Sequence, residues 1–166
     1  SASYDETIII WQADENQPNS WHPLDIIRDH SEGVTSVDWM GNSNTFASAS
    51  YDGTVSIWKA DENQPNYWQH VITLGDHTND VNSIAWKEDG SRLASASKDG
   101  TVIVWDTYSW RPLYTLTDPT STAVSVAWGS SGKLVAATYD TIIIWDFPDF
   151  SALQCSLAGR NLSLGE

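Results

Sequence analysis

Cysteine is all but missing from this chain. Cys155 is the only one, which excludes an internal disulfide and any cysteine-built zinc site. So few thiols fit a reducing compartment, and the expected location is cytoplasmic or nuclear. Positive charge is the next scarcity: 8 lysines and arginines stand against 22 acidic residues, a formal charge of −14. The basic residues (Arg28, Lys59, Lys87, Arg92, Lys98, Arg111, Lys133, Arg160) are scattered singly. Binding phosphates needs a basic stripe, so DNA, RNA and anionic membrane surfaces are disfavoured as partners. A basic protein partner is compatible with this charge. Long apolar runs are also missing; nothing approaches the roughly 18 consecutive apolar residues of a membrane span. The start, Ser-Ala-Ser-Tyr-Asp-Glu, has neither the basic nor the apolar region of a signal peptide. One glycosylation-type triplet, Asn161-Leu162-Ser163, is read as a chance match.

What the chain does have is aromatic and repetitive. Apolar residues make up 40% and ten are tryptophan, too many for a disordered tail. The segments SASYDETIIIW (1–11), SASYDGTVSIW (48–58) and SASKDGTVIVW (95–105) begin 47 positions apart. A fourth copy, AATYDTIIIW at 136–145, lacks one residue after Asp140. A second element recurs in step: VTSVDW at 34–39, VNSIAW at 81–86 and VSVAW at 124–128. The insert ADENQPN occurs unchanged at 13–19 and 60–66, the mark of a duplicated unit.

Each unit reads as short strands. The recurring segments are β-branched and aromatic and are bounded by turn residues. In 34–39, valine, serine and aspartate share a face only if the strand is flat. Tyr-Asp-Gly-Thr at 51–54 and Lys-Asp-Gly-Thr at 98–101 are Asp-Gly hairpin signals. Residues 24–28, 71–74, 113–116 and 153–157 supply one further strand per unit. No helical period is evident. The expected class is all-β, about four antiparallel strands per unit, in units of approximately 1–29, 30–76, 77–118 and 119–166 within one domain.

Asp-His before one strand, Ser-x-x-x-Asp-Gly-Thr in a hairpin and a closing Ile-Trp resemble the WD-repeat β-propeller family over essentially the whole chain. The resemblance implies four-stranded blades around a central channel. It also implies a buried hydrogen-bonded set of Trp, Ser, His and Asp in each blade. Carried over, one set is His30, Ser48, Asp52 and Trp58, and a second is His77, Ser95, Asp99 and Trp105. The first unit retains Ser1, Asp5 and Trp11. The fourth retains Asp140 and Trp145, with Pro119 in the histidine position and Ala136 in the serine position. Such sets have a physical purpose: a buried carboxylate and a buried indole N–H both need partners. Ser, His and Asp are also the members of a hydrolytic triad. A trio that recurs unit after unit reads as architecture, so no catalytic residue is expected.

Laid on blades, the chain begins at the second strand of one and holds about 3.7 in all. Three arrangements stay open: part of a larger propeller completed by other blades, self-assembly with further copies, and a compact four-bladed ring. In the family, partners bind the face carrying the hairpin turns and the loops before the innermost strands. The residues there are Tyr4, Tyr51, Lys98 and Tyr139, each preceding a turn aspartate. They are joined by Ser31, Gly33 and Thr35, by Thr78, Asp80 and Asn82, and by Thr120, Thr122 and Val124. Tyrosine suits binding hot spots, although it can also simply pack over its own turn.

The ADENQPN inserts fall on the opposite face and read as solvated loops. Asp14, Glu15, Asp61 and Glu62 lack the spacing and glycine of a calcium loop, so no metal or cofactor is expected. Trp21, Trp68 and Trp110 are expected to pin these loops, and His22 and His70 are not repeat-equivalent. The functional expectation is a non-catalytic scaffold for proteins or peptides. A self-assembling structural repeat is the alternative. SASYDETIIIW, with a tryptophan before the outer strand in NSW and NYW, is also similar to the WD-repeat scaffold of cytosolic iron–sulfur protein assembly. That likeness implies docking of assembly factors.

Overall fold

The computed structural model describes residues 1–147 except Glu15, Pro18, Glu62, Asp118, Pro119 and Thr120; within strands, nothing is assigned to the side chains of Pro65 and Asn66. The expectations for Pro119, Thr120, Cys155, Asn161 and the strand at 153–157 lie outside the described residues.

Among the described residues thirteen strands form four antiparallel sheets, each built from strands consecutive in the chain. The first pairs β1 (Thr7–Ala13) with β2 (Trp21–Arg28), and Ala2 bridges to Ile8. The second holds β3 (Val34–Trp39), β4 (Thr45–Ser50), β5 (Val55–Asp61) and β6 (Gln64–Leu74). The third holds β7 (Val81–Trp86), β8 (Arg92–Ser97), β9 (Thr101–Asp106) and β10 (Arg111–Thr117). The fourth holds β11 (Ala123–Trp128), β12 (Lys133–Thr138) and β13 (Ile142–Asp146). These are the blades of a partial propeller. Among the described residues no helix is long and apolar enough to cross a membrane.

Hydrophobic burial lies between neighbouring sheets. Ile57, Val81, Leu93 and Trp105 form one apolar layer, all at most 0% exposed. Val104, Val126 and Leu134 anchor a second, and Ile8, Val34, Phe46 and Trp58 a third. Every strand that alternates toward such a layer buries one row of side chains, which is why the β-branched segments recur at the repeat period.

The innermost strands β3, β7 and β11 are not flat. Each carries a register shift near its start, at Val34/Ser36, Val81/Ser83 and Ala123/Ser125. The extra residue breaks strict alternation, so the face predicted for valine, serine and aspartate together does not form. Adjacent blades are stitched through these strands. Ser36 Oγ accepts the Ile84 N–H and Asp38 Oδ2 the Trp86 N–H at 2.7 Å, while the indoles of Trp86 and Trp128 donate to the carbonyls of Asp38 and Ala85.

The outer strands run longer than the sequence suggests. In the second blade β5 and β6 continue into the ADENQPN insert, with Asp61 paired to Gln64. That insert is a hairpin tip and not a loop outside the sheet; Asp61 Oδ1 accepts the Asn63 N–H and Oδ2 the Gln69 amide, both at 2.8 Å. Trp68 does pin it, edge-on to Trp39 and Phe46, although its buried indole N–H has no hydrogen-bond partner among the described residues. Trp110 packs edge-on to Trp86, whereas Trp21 is exposed.

The Asp-Gly hairpins place Gly53 and Gly100 at φ of 81° and 84°. In the first blade the same position is Glu6, at φ 69°. The left-handed region costs a side-chain-bearing residue about 1–2 kcal/mol, of which the freer unfolded glycine returns a part. Glu6→Gly is therefore expected to stabilise the fold by about 0.5–1 kcal/mol in urea unfolding. A lower midpoint would show that the Glu6 side chain contributes more than its backbone strain removes.

Candidate functional site

The two complete side-chain sets form the same chain of bonds. The Trp58 indole donates to Ser48 Oγ at 2.9 Å, and Ser48 Oγ lies 2.8 Å from His30 Nε2. His30 Nδ1 stands 2.9 Å from Asp52 Oδ2. Because Ser48 accepts from the indole, its own proton points to Nε2, and the ring proton on Nδ1 is donated to Asp52. In the next blade Trp105, Ser95, His77 and Asp99 repeat this at 2.9, 2.7 and 3.0 Å.

Each aspartate is further filled from the turn. Asp52 accepts the N–H groups of Ser31 and Thr54 and the Thr54 hydroxyl, the last at 2.6 Å; Asp99 does the same with Thr78 and Thr101. Burial pushes both carboxyls up, but the Thr54 and Thr101 hydroxyls, with histidine and turn N–H groups, outweigh it and hold both below the usual carboxylate range. Burial lowers His77, against the opposing pull of Asp99.

The order Ser–His–Asp is that of a hydrolytic triad, yet both serines are 0% exposed and their oxygens already hold an indole N–H. No substrate carbonyl can reach them. These bonds tie the start of a blade to its hairpin and third strand.

The incomplete sets are not buried as the resemblance implies. Trp11 keeps its bond to Ser1 Oγ at 3.0 Å, but Ser1 and Asp5 are exposed and Trp11 is 45% exposed. With no histidine and no sheet over that side among the described residues, the set remains wet. In the fourth blade Asp140 accepts from Thr138 alone among the described residues, at 3.0 Å, and Trp145 is half-buried opposite Leu134, with alanine at position 136 offering no hydroxyl.

The residues preceding the turn aspartates come together. Tyr4, Tyr51, Lys98 and Tyr139, one from each blade, line a single concavity of about 560 Å³ with Glu6, Glu32, Gly33, Asp80 and Asn82. The Tyr4 and Tyr51 rings meet at 5.4 Å, tilted by 60°. Gly33 allows this contact, since a Cβ there would press on both tyrosines at 3.2–3.3 Å. Tyr51 is half-buried, and burial followed by the neighbouring Tyr4 pushes its phenol up. Tyr4 and Tyr139 are about 81% and 80% exposed. Lys98 is held 3.2 Å from Asp80.

Thr35 does not line the concavity. Its hydroxyl donates to the Val81 carbonyl at 2.6 Å, a stitch between blades. Asn82, its repeat equivalent, donates likewise to Ala123 at 2.9 Å while still facing the concavity. Val124 has nothing to donate, and Ser31 and Thr78 spend their N–H groups on the turn aspartates. Among the described residues no three His, Cys, Asp or Glu side chains converge on a point that could hold a metal ion.

Comparison with known families agrees with this geometry. The profile described as "WD domain, G-beta repeat" matches three times, over residues 21–59, 68–106 and 110–146. The chain belongs to that family. Each WD repeat so matched is offset by one strand from a sheet: 21–59 takes β2 from the first blade and β3, β4 and β5 from the second. The offset is how one repeat clasps two blades. Proteins of WD repeats are generally non-catalytic scaffolds. No curated protein matches the chain, and the WD match carries no likeness to the iron–sulfur assembly scaffold.

Several working residues of these WD repeats escaped the sequence reading. Thr54 and Thr101 close the aspartate turn, and Ser50 and Ser97, both fully buried, bond the Glu32 and Asn79 carbonyls. Their signal was present as Ser-x-Ser-x-Asp-Gly-Thr. Glu6 and Glu32 were missed for another reason: each breaks the repeat, Glu6 standing where two other copies have Gly53 and Gly100, and Glu32 where they have Asn79 and Ser121.

Proposed function

We propose that this chain is a protein-interaction platform whose contact surface is the tyrosine-bearing concavity on the turn face. The supporting observation is that four repeat-equivalent residues, one per blade, line one recess of about 560 Å³. That volume lies within the roughly 300–1,000 Å³ of ordinary binding sites. Tyrosines supply large contact area with few rotatable bonds, so little entropy is lost when they are covered. The blades that carry Tyr51 and Lys98 are each held by a buried Trp–Ser–His–Asp chain, so that half of the rim is presented by rigid strands.

The test is a Tyr51→Ala, Tyr139→Ala double variant, compared with wild type by affinity capture and quantitative mass spectrometry. Hot-spot truncation costs about 2 kcal/mol or more per residue, so specific partners are expected to fall at least about thirtyfold in affinity. A folded double variant that retains every partner would overturn the assignment of this face.

A further inference from the structure

The concavity also has a chemistry of its own. Its lining carries three carboxylates, Glu6, Glu32 and Asp80, against one ammonium, Lys98, leaving two negative charges. Lys98 is already engaged by Asp80 at 3.2 Å. The carboxylates of Glu6 and Glu32 have no partner among the described residues, and both side chains are exposed to solvent. Beside them stand the open rings of Tyr4 and Tyr139 and the tilted Tyr4–Tyr51 pair.

Resting on the platform reading, the geometry points to a specific occupant: an arginine side chain presented by a basic peptide segment of a partner protein, seated against the Tyr4–Tyr51 pair and held by Glu6 and Glu32. A guanidinium is planar and weakly hydrated, so it stacks on a phenol face while its N–H fork meets a carboxylate. An ammonium lacks the planar face, and a bare metal ion lacks a converging ligand set. A phosphate-bearing partner would meet the same two uncompensated charges as repulsion.

The test uses the full chain and three probe peptides: acetylated Gly-Gly-Arg-Gly-Gly amide, its citrulline isostere, and its glutamate counterpart. Amide chemical shifts are followed during titration. The arginine peptide is expected to move the resonances of Tyr4, Glu6, Gly33, Tyr51 and Tyr139 and to weaken with added salt. Citrulline keeps the shape and removes the charge, and is expected to bind at least about tenfold more weakly. A Glu6→Gln, Glu32→Gln variant is expected to lose about tenfold for arginine, with unchanged resonances for His77 and Trp105 showing an intact fold. Equal binding of citrulline, binding of the glutamate peptide at this rim, or an unaffected Gln variant would overturn the arginine site. If no peptide moves the rim while capture of protein partners still depends on Tyr51 and Tyr139, the platform stands and the arginine site falls.

Discussion

Trp105→Ala is expected to destabilise the fold by about 3–5 kcal/mol, a large share of the roughly 5–15 kcal/mol that holds a domain together. The indole is 0% exposed, packs in the central apolar layer, and donates to Ser95 Oγ at 2.9 Å. Alanine would leave a cavity between two sheets that cannot collapse without moving β7 and β8. It would also leave the Ser95–His77 bond without its first donor. The contrast is Trp145, the repeat equivalent in the fourth blade, which is only half-buried and pairs with Leu134, while the serine position of that blade is Ala136, which has no hydroxyl to offer. Trp145→Ala is expected to cost less than about 2 kcal/mol. Urea unfolding of both variants decides the matter. Equal losses would mean that the hydrogen-bonded sets add nothing beyond the burial of an aromatic ring.

Asp99→Ala is expected to cost about 2–4 kcal/mol, because it strands donors and does not merely remove a contact. His77 Nδ1, the N–H groups of Thr78 and Thr101, and the Thr101 hydroxyl all converge on this carboxylate. The pH profile carries a second signature. Asp99 is held below its ordinary value in the fold, so its stabilisation is present above about pH 4 and lost as pH falls through the lowered folded value. His77 is also lowered, so the fold favours its neutral form; that contribution is complete above about pH 6.5 and declines below it. The wild type should therefore weaken in two stages as acid is added. In Asp99→Ala the later stage should shrink. The earlier one should steepen, since Asp99 is what favours protonated His77. Chemical denaturation at pH 7.5, 5.5 and 3.5 separates these outcomes. A variant with the wild-type profile at every pH would show that the aspartate is not the terminus of the chain.

Much of this was legible in the sequence for a definable reason. The Trp–Ser–His–Asp chain and the aspartate turn join residues of one repeat, so the recurring motif carries the family resemblance that implies them. Ser48, Asp52 and Trp58 and their counterparts Ser95, Asp99 and Trp105 fall where the repeat puts them. Gly53 and Gly100 answer the positive φ of the two Asp-Gly hairpins. The same logic located Tyr4, Tyr51, Lys98 and Tyr139 at equivalent turns, because what repeats along the chain repeats around the blades.

What spacing does not encode is contact between one blade and the next. Thr35 was read as a rim residue, yet its hydroxyl is turned to the Val81 carbonyl by a bulge that only the paired strands reveal. The second ADENQPN insert is identical to the first, but Asp61 pairs with Gln64 within the sheet. Glu6 and Glu32 come from different blades and differ from their own repeat equivalents. The sequence by itself determined the repeat and the all-β class, since these are local and periodic, and its family resemblance implied the internal bonds of the two blades with complete sets. Only the tertiary structure decided which side chains share the concavity and which are consumed in joining blades, because that depends on how whole sheets pack face to face.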